Sequence, residues 1–199
     1  MGLIEVQRVL AQLYTNVELR EKFLANPQQI AIEFGLNAVD IEHLTALSAF
    51  HLREFANSLQ HKRLAEVSKI LTLTEKSLKT KFAELFLEFT SNYLPSGIKK
   101  HRDDAIAFAK FIASPIHKDI PDWCQEIAIY ETTRLQLGES KKLLMLRKFR
   151  YPLKQIIQSL FRDEEIITTK KLTLAIWVRI PGQTRWYHYL VLVPGFPGF

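Results

Sequence analysis

The chain has 199 residues, 47% of them hydrophobic and 24% charged, with a formal net charge of +6. That apolar share supports a buried core and excludes an intrinsically disordered chain, and the length suits one domain or two small ones. A single cysteine, Cys124, excludes an internal disulfide framework and a cysteine-rich zinc site, and no stretch approaches the roughly 18 apolar residues needed to span a bilayer.

The start, MGLIEVQRVLAQLY, is broken by Glu5 and Gln7, so it does not read as a secretory signal. Gly2 lacks the Ser/Thr context of a myristoylation site. The expectation is a cytoplasmic protein without a membrane anchor.

Leu3, Val6, Leu10, Leu13 and Tyr14 recur at helical spacing and predict a first amphipathic helix. Thr15 and Glu18 suit a capping box that restarts the chain as a second helix to about Ala25. Asn26-Pro27 opens a third helix that ends at Gly35, and Asn37 caps a fourth to about Leu47. Ser48 opens a long helix whose expected buried stripe is Leu52, Phe55, Leu59, Val67 and Ile70. A break near Thr72 and Thr74 precedes a helix carrying Leu78, Phe82, Leu85, Phe86 and Phe89. LPSGIKK (94–100) reads as a loop, AIAFAKFIA as a short helix, and Pro121 opens a last helix with Trp123, Ile127 and Tyr130 that stops at Gly138. Short connections imply antiparallel neighbours in a bundle.

From residue 139 the pattern changes. Residues 139–199 hold eleven Lys/Arg against four Asp/Glu, whereas residues 1–138 hold sixteen against seventeen. Two of the three tryptophans, Trp177 and Trp186, lie in this basic part. Residues 143–151 read as a strand ended by Tyr151-Pro152, and KQIIQSLF as one or two helical turns. LTLAIWVRI and TRWYHYLVLV flank Pro181-Gly182, which suits a type II turn within a four-residue loop, 181–184. That loop sets Val178 opposite Tyr187, Ile176 opposite Tyr189, Trp177 opposite His188 and Arg179 opposite Trp186. The terminal PGFPGF reads as an extended arm outside helix and strand. The fold class is therefore α+β, mainly α: a helical domain over 1–138, then a small basic antiparallel module with a short helix over 139–199.

No catalytic set emerges. The six histidines include no i,i+4 pair, glycine is too sparse for a phosphate-cradling loop, and Cys124 has no neighbour that activates it. The cluster Lys99-Lys100-His101-Arg102-Asp103-Asp104 reads as a solvated helix start rather than an acid/base or metal site. Neither a metal nor a cofactor is called for. Ala31, Gly35 and Ile41 have helix-turn-helix spacing, yet the would-be recognition helix carries Asp40, Glu42 and His43 and no Lys or Arg. Net negative charge there opposes phosphate, so two helices joined by a tight glycine turn is the plainer reading.

The basic strand module is the candidate binding element. Lys141, Lys142, Arg147, Lys148, Phe149, Arg150 and Tyr151 lie along its first strand, and Trp177, Arg179, Arg185 and Trp186 on its hairpin. An open strand edge accepts an extended peptide, basic flanks favour an acidic one, and aromatic side chains anchor it. The same residues also suit a sheet that merely covers the helical body, or a surface on which single-stranded nucleic acid stacks.

LYTNVELREKFLANPQQIAIEFGLNAVDIEHL, FANSLQHKRLAEVSKIL and LRKFRYPLKQII together resemble the partner-subunit family of methanobactin biosynthesis, over about 150 residues. The resemblance implies a non-catalytic subunit that recruits a ribosomally made precursor peptide. It also implies a heterodimer with a TIM-barrel, multinuclear non-haem iron oxidase, which carries the iron ligands. Arg147, Phe149, Arg150, Tyr151 and Pro152 match the family's basic-aromatic strand and its Tyr-Pro end. The C-terminal strand region is shorter than the family's, and PGFPGF is not part of its pattern. The alternative function is a basic nucleic-acid-binding regulator using residues 27–47.

Overall fold

A computed structural model describes residues 3–91, 93–94, 99–138, 142–166 and 169–197. Its described elements, in chain order, are α1 (Leu3–Thr15), α2 (Val17–Ala25), α3 (Pro27–Glu33), α4 (Ala38–Thr45), α5 (Ala49–Ile70), α6 (Thr72–Leu78), α7 (Thr80–Ser91), α8 (Lys100–Ile112), α9 (Asp122–Leu137), β1 (Leu144–Phe149), α10 (Leu153–Arg162), β2 (Lys171–Arg179) and β3 (Trp186–Pro197). The fold is α+β and mainly α, with one small antiparallel sheet. The chain forms two compact units, Met1–Val67 with Ala83–Asp104, and Ser68–Phe82 with Ala105–Phe199.

In the first unit, three asparagines set the helix starts. The Asn16 side chain accepts the Leu19 N–H at 2.9 Å, Asn26 that of Gln29 at 3.3 Å, and Asn37 that of Asp40 at 2.9 Å. The expected Thr15 capping box does not form: the Thr15 hydroxyl instead donates back to the Ala11 carbonyl, and Asn16 takes the cap. Gly35, at φ +70°, supplies the left-handed residue after α3 that a side chain would disfavour. Val9, Leu13, Phe23, Ile30, Ala31, Leu36, Leu44 and Leu52 form the core. Phe55, expected in the buried stripe of α5, is half exposed and packs beside Tyr14, because Ala56 occupies the inward position one turn after Leu52.

One buried ion pair joins distant parts of this unit. Arg63 on α5 donates from Nη2 to Asp104 Oδ1 at 2.7 Å and from Nε to Oδ2 at 3.0 Å. Nη2 also donates to the Tyr93 carbonyl at 3.1 Å. The Asp104 side chain is fully buried. The residue that closed the polar cluster in the sequence is therefore a structural counter-ion.

The second unit is built around α9. Glu131 reaches to the start of α6 and accepts the Leu73 N–H at 2.9 Å, the Thr74 N–H at 2.8 Å and the Thr74 hydroxyl at 2.7 Å. It caps a helix that has no side-chain cap of its own. Burial pushes its carboxyl above the ordinary range against those hydrogen bonds. The helix break predicted at Thr72–Thr74 has a second part: Lys79, at φ 54°, separates α6 from α7. Leu73, Ile127, Tyr130, Leu137, Phe149, Leu153, Ile156, Leu160, Ala175 and Trp177 are among the core residues here.

The sheet order is β1-β2-β3, with both pairings antiparallel. The hairpin register pairs Ile176 with Tyr189, Trp177 with His188, Val178 with Tyr187 and Arg179 with Trp186, as the turn chemistry predicts. Gln183 N–H donates to the Ile180 carbonyl at 3.0 Å around Pro181 and Gly182, whose φ is +82°. The terminal arm differs from expectation, since β3 continues through Pro197, which pairs with Lys171 beyond a bulge. β3 is an edge strand, where prolines cost no ladder donor. Residues 95–98 of the expected loop and residues 198–199 lie outside the described residues.

Asp104→Ala is expected to lower stability by about 3–5 kcal/mol, because it strands a mostly buried guanidinium. Urea unfolding reads this as a lower midpoint. Glu21→Ala, which breaks the exposed pair with Arg53, is expected to leave the midpoint nearly unchanged.

Candidate functional site

The pleat of the sheet sorts its side chains onto two faces. On the inner face lie Met145, Arg147 and Phe149 of β1, Thr173, Ala175 and Trp177 of β2, and His188 and Leu190 of β3. On the outer face, three cross-strand rows form a grid: Leu144, Val178 and Tyr187; Leu146, Ile176 and Tyr189; Lys148, Leu174 and Val191. Eight of these nine positions are apolar or aromatic. Leu144, Leu146, Tyr189 and Val191 are between 45% and 57% exposed, so nothing among the described residues covers this face. A contiguous apolar patch of this kind marks an interaction surface, unlike scattered exposed leucines.

The same strand leaves its main chain open. The Arg179 N–H donates to the Leu143 carbonyl at 2.8 Å, which makes 143/179 a hydrogen-bonded pair. Antiparallel alternation then directs Met145, Arg147 and Phe149 toward β2 with their main-chain groups. Leu144, Leu146 and Lys148 turn their N–H and C=O groups away from it, to the sheet's edge. The residues whose main-chain groups have no strand partner among the described residues are thus the residues whose side chains form the outer grid.

The predicted site residues divide sharply. Trp177, Phe149 and Tyr151 are core residues, at 1%, 2% and 6% exposure, and present no side chain to a visitor. Arg150 is held by α9: its N–H donates to both Glu126 oxygens, at 3.1 and 2.9 Å, its Nε donates to Glu126 at 2.9 Å, and its Nη1 pairs with Asp122 at 3.2 Å. Arg147 also reaches α9, donating to the Thr133 hydroxyl and the Ile129 carbonyl. Arg179 donates to the Lys142 carbonyl at 3.1 Å and lies over the Trp186 ring at 5.0 Å. Arg185 lies over Tyr187 at 5.6 Å. Lys142 and Lys148 are exposed beside the edge strand, whereas Lys141 lies outside the described residues. Basic residues were expected to form one rim; instead Arg147 and Arg150 turn to α9, and Arg179 and Arg185 lie over rings of the hairpin.

The apolar outer grid was missed, and its signal is visible in LTLAIWV. A strand apolar at both parities carries an apolar face on each side of the sheet. One side of β2 meets the core, and the other forms the middle of the grid.

Elsewhere the candidates are plain. Ala31 is buried and Gly35 makes a turn between α3 and α4, while α4 carries Asp40 in its first turn. Burial pushes the Cys124 thiol up to about 12, countered only in part by its weak donation to the Ser77 carbonyl. Among the described residues, no helix is long and apolar enough to cross a membrane. The chain matches no protein-family model and no curated protein.

The inner face carries one titrating group of note. Burial, and then the nearby Arg134 charge, lower His188 from its ordinary 6.5. The unfolded chain therefore binds this proton more readily than the folded one. The stability that His188 contributes is complete above pH 6.5 and falls as the pH drops through the folded value. His188→Gln is expected to flatten the decline of the thermal midpoint as the pH falls below 6.5. A second expectation concerns Cys124: a thiol reagent labels it at neutral pH only in the unfolded chain, and rapid labelling of the folded protein contradicts the buried, protonated assignment.

Proposed function

We propose that this protein is a non-catalytic binding subunit that takes up an extended peptide as an added strand along β1. In the setting its resemblance implies, the peptide is a ribosomally made precursor, and the subunit presents it to a partnered multinuclear iron oxidase. One observation carries the binding reading: the outward main-chain groups of Leu144, Leu146 and Lys148 continue directly into an uncovered apolar grid. Main-chain pairing supplies affinity in such a mode, and alternate side chains supply selectivity.

The chemistry of the peptide follows from the edge. Its outer-facing residues extend the Leu144 and Leu146 rows and are apolar. Acidic residues are favoured near Lys148 and Lys142, both of which are exposed. β3 is the poorer template of the two edges, because Pro194 and Pro197 lack N–H groups and a bulge interrupts its register.

Fluorescence anisotropy with labelled ten-residue peptides of alternating apolar and acidic residues tests this reading, with hydrogen exchange as the second readout. Binding is expected to slow amide exchange at Leu144, Leu146 and Lys148. Leu146→Asp, at an exposed position, is expected to weaken binding by about tenfold or more, through a charge placed on the apolar face and against acidic neighbours. Equal affinity in the variant, or protection confined to other strands, overturns the reading. Steeply salt-dependent binding to DNA or RNA in place of peptide supports the regulator instead.

A further inference from the structure

The second unit carries a groove whose lining includes no residue of β1. Its volume is about 480 Å³, and its walls come from the end of α5, the start of α6, α9 and α10. Ile70, Leu135, Ile157 and Phe161 make it apolar, and Lys69 and Arg134 give it two cations. All six residues belong to one compact unit. None of them is buried: Phe161 is 61% exposed, Lys69 and Arg134 are exposed, and Ile70, Leu135 and Ile157 are half-buried. The apolar wall has a local cause. Leu153, Ile156 and Leu160 point α10 into the core, while Ile157 and Phe161, one turn apart, form a neighbouring ridge that the core does not take up.

The charge of the groove is positive and uncompensated. Arg134 makes no hydrogen bond and no ion pair among the described residues. Glu131, the one carboxylate in the lining, senses the Arg134 charge but spends both oxygens on the Leu73 N–H, the Thr74 N–H and the Thr74 hydroxyl. Its burial further opposes the ionised form. Asp163, Glu164 and Glu165 follow α10, yet none of them lines the groove, and Glu164 pairs with Arg162 at 3.8 Å. An exposed aromatic ring beside an unpaired guanidinium is a combination enriched in interfaces and depleted elsewhere on protein surfaces.

We infer that this groove docks an acidic protein segment carrying one bulky apolar side chain. That side chain lies against Phe161, Ile157 and Leu135, and a carboxylate on its flank accepts from the Arg134 guanidinium. Lys69 adds to the same positive field. Sites for free small molecules enclose about 70–90% of the ligand, whereas a groove walled by a mostly exposed Phe161 encloses far less. A side chain delivered by a protein segment needs less enclosure, because the residues on either side of it add contacts of their own. The apolar anchor supplies burial, and the charge-assisted bond to Arg134 supplies selectivity for an acid.

Short peptides with a central Phe flanked by Asp and Glu test this on the full chain. In ¹⁵N-labelled protein, such a peptide is expected to shift the Arg134 Nε–H resonance and the amides of Ile157 and Phe161 saturably. Replacing the central Phe by Ser, or the flanking acids by Asn and Gln, is expected to weaken binding in each case. Arg134→Gln is expected to reduce affinity about tenfold, the effect of losing one charge-assisted hydrogen bond. Phe161→Ser is expected to reduce it several-fold through lost apolar burial. Both positions are exposed, so an unchanged thermal midpoint in each variant separates lost docking from lost fold. No saturable shift at these positions, equal binding of the neutral peptide, or unchanged affinity in Arg134→Gln or in Phe161→Ser each overturn the inference. Shifts confined to Leu144, Leu146 and Lys148 overturn it while supporting strand addition at β1, and shifts confined to the groove support it while counting against β1.

Discussion

Glu126 on α9 holds the end of β1, and the use of the sheet follows from that grip. Its carboxylate accepts the Arg150 main-chain N–H and the Arg150 Nε together, so one acid fixes both the strand's backbone and its side chain. The attachment lies where β1 must turn into α10. Thr173 completes the corner from the other side, donating to the Tyr151 carbonyl at 2.7 Å and accepting the Leu153 N–H at 3.3 Å. With both ends of the Tyr151-Pro152 corner satisfied, a buried change of direction carries no orphaned main-chain group at these positions. Glu131, five residues further along α9, holds the start of α6 in the same manner. Two carboxylates on one helix thus organise a helix start and a strand end that lie far apart in the sequence.

This grip decides which cations remain for other work. Beside the acidic α9, Arg150 pairs with Glu126 and Asp122, and Arg147 donates to neutral oxygens of the same helix. A charge that is paired and partly desolvated inside the fold is poorly suited to recruiting a second partner, since the first interaction must break before the second forms. What the sheet offers outward is different in kind: main-chain groups at an edge, and apolar side chains beside them. Electrostatics then act as a local bias through exposed lysines rather than as the main source of affinity.

Legibility in the sequence followed how local the determinant was. The hairpin register came from two adjacent residues, Pro181-Gly182, and from the avoidance of opposed arginines, so it was readable. Asparagine caps and Gly35 are equally local. The Thr15 box failed because Asn16 competes for the same end of the helix from one position later. Burial was less legible, since Trp177 and Phe149 look like binding aromatics until α9 is placed beneath them. The partners of Arg147, Arg150 and Asp104 are separated from them by 14 to 41 residues, and no spacing rule reaches that far. The outer grid was legible in principle, through the two apolar parities of LTLAIWV, but only once the strand order put β2 in the middle.

The outer grid and the core share a single strand and are kept apart by parity alone. Even-numbered residues of β2, from Leu174 to Val178, serve the outer grid, whereas Thr173, Ala175 and Trp177 serve the core. A slip of one residue in either pairing would exchange the sets, bringing Ile176 into the place of Trp177 and turning Thr173 out from its corner. The turn at Pro181-Gly182 fixes the register at one end of β2, and the Thr173 bonds to Tyr151 and Leu153 fix it at the other. Those constraints act on the main chain and on a buried hydroxyl, away from the outer grid. Outer-grid side chains can therefore vary with the partner while the register that displays them stays fixed, which is the division of labour a binding subunit requires.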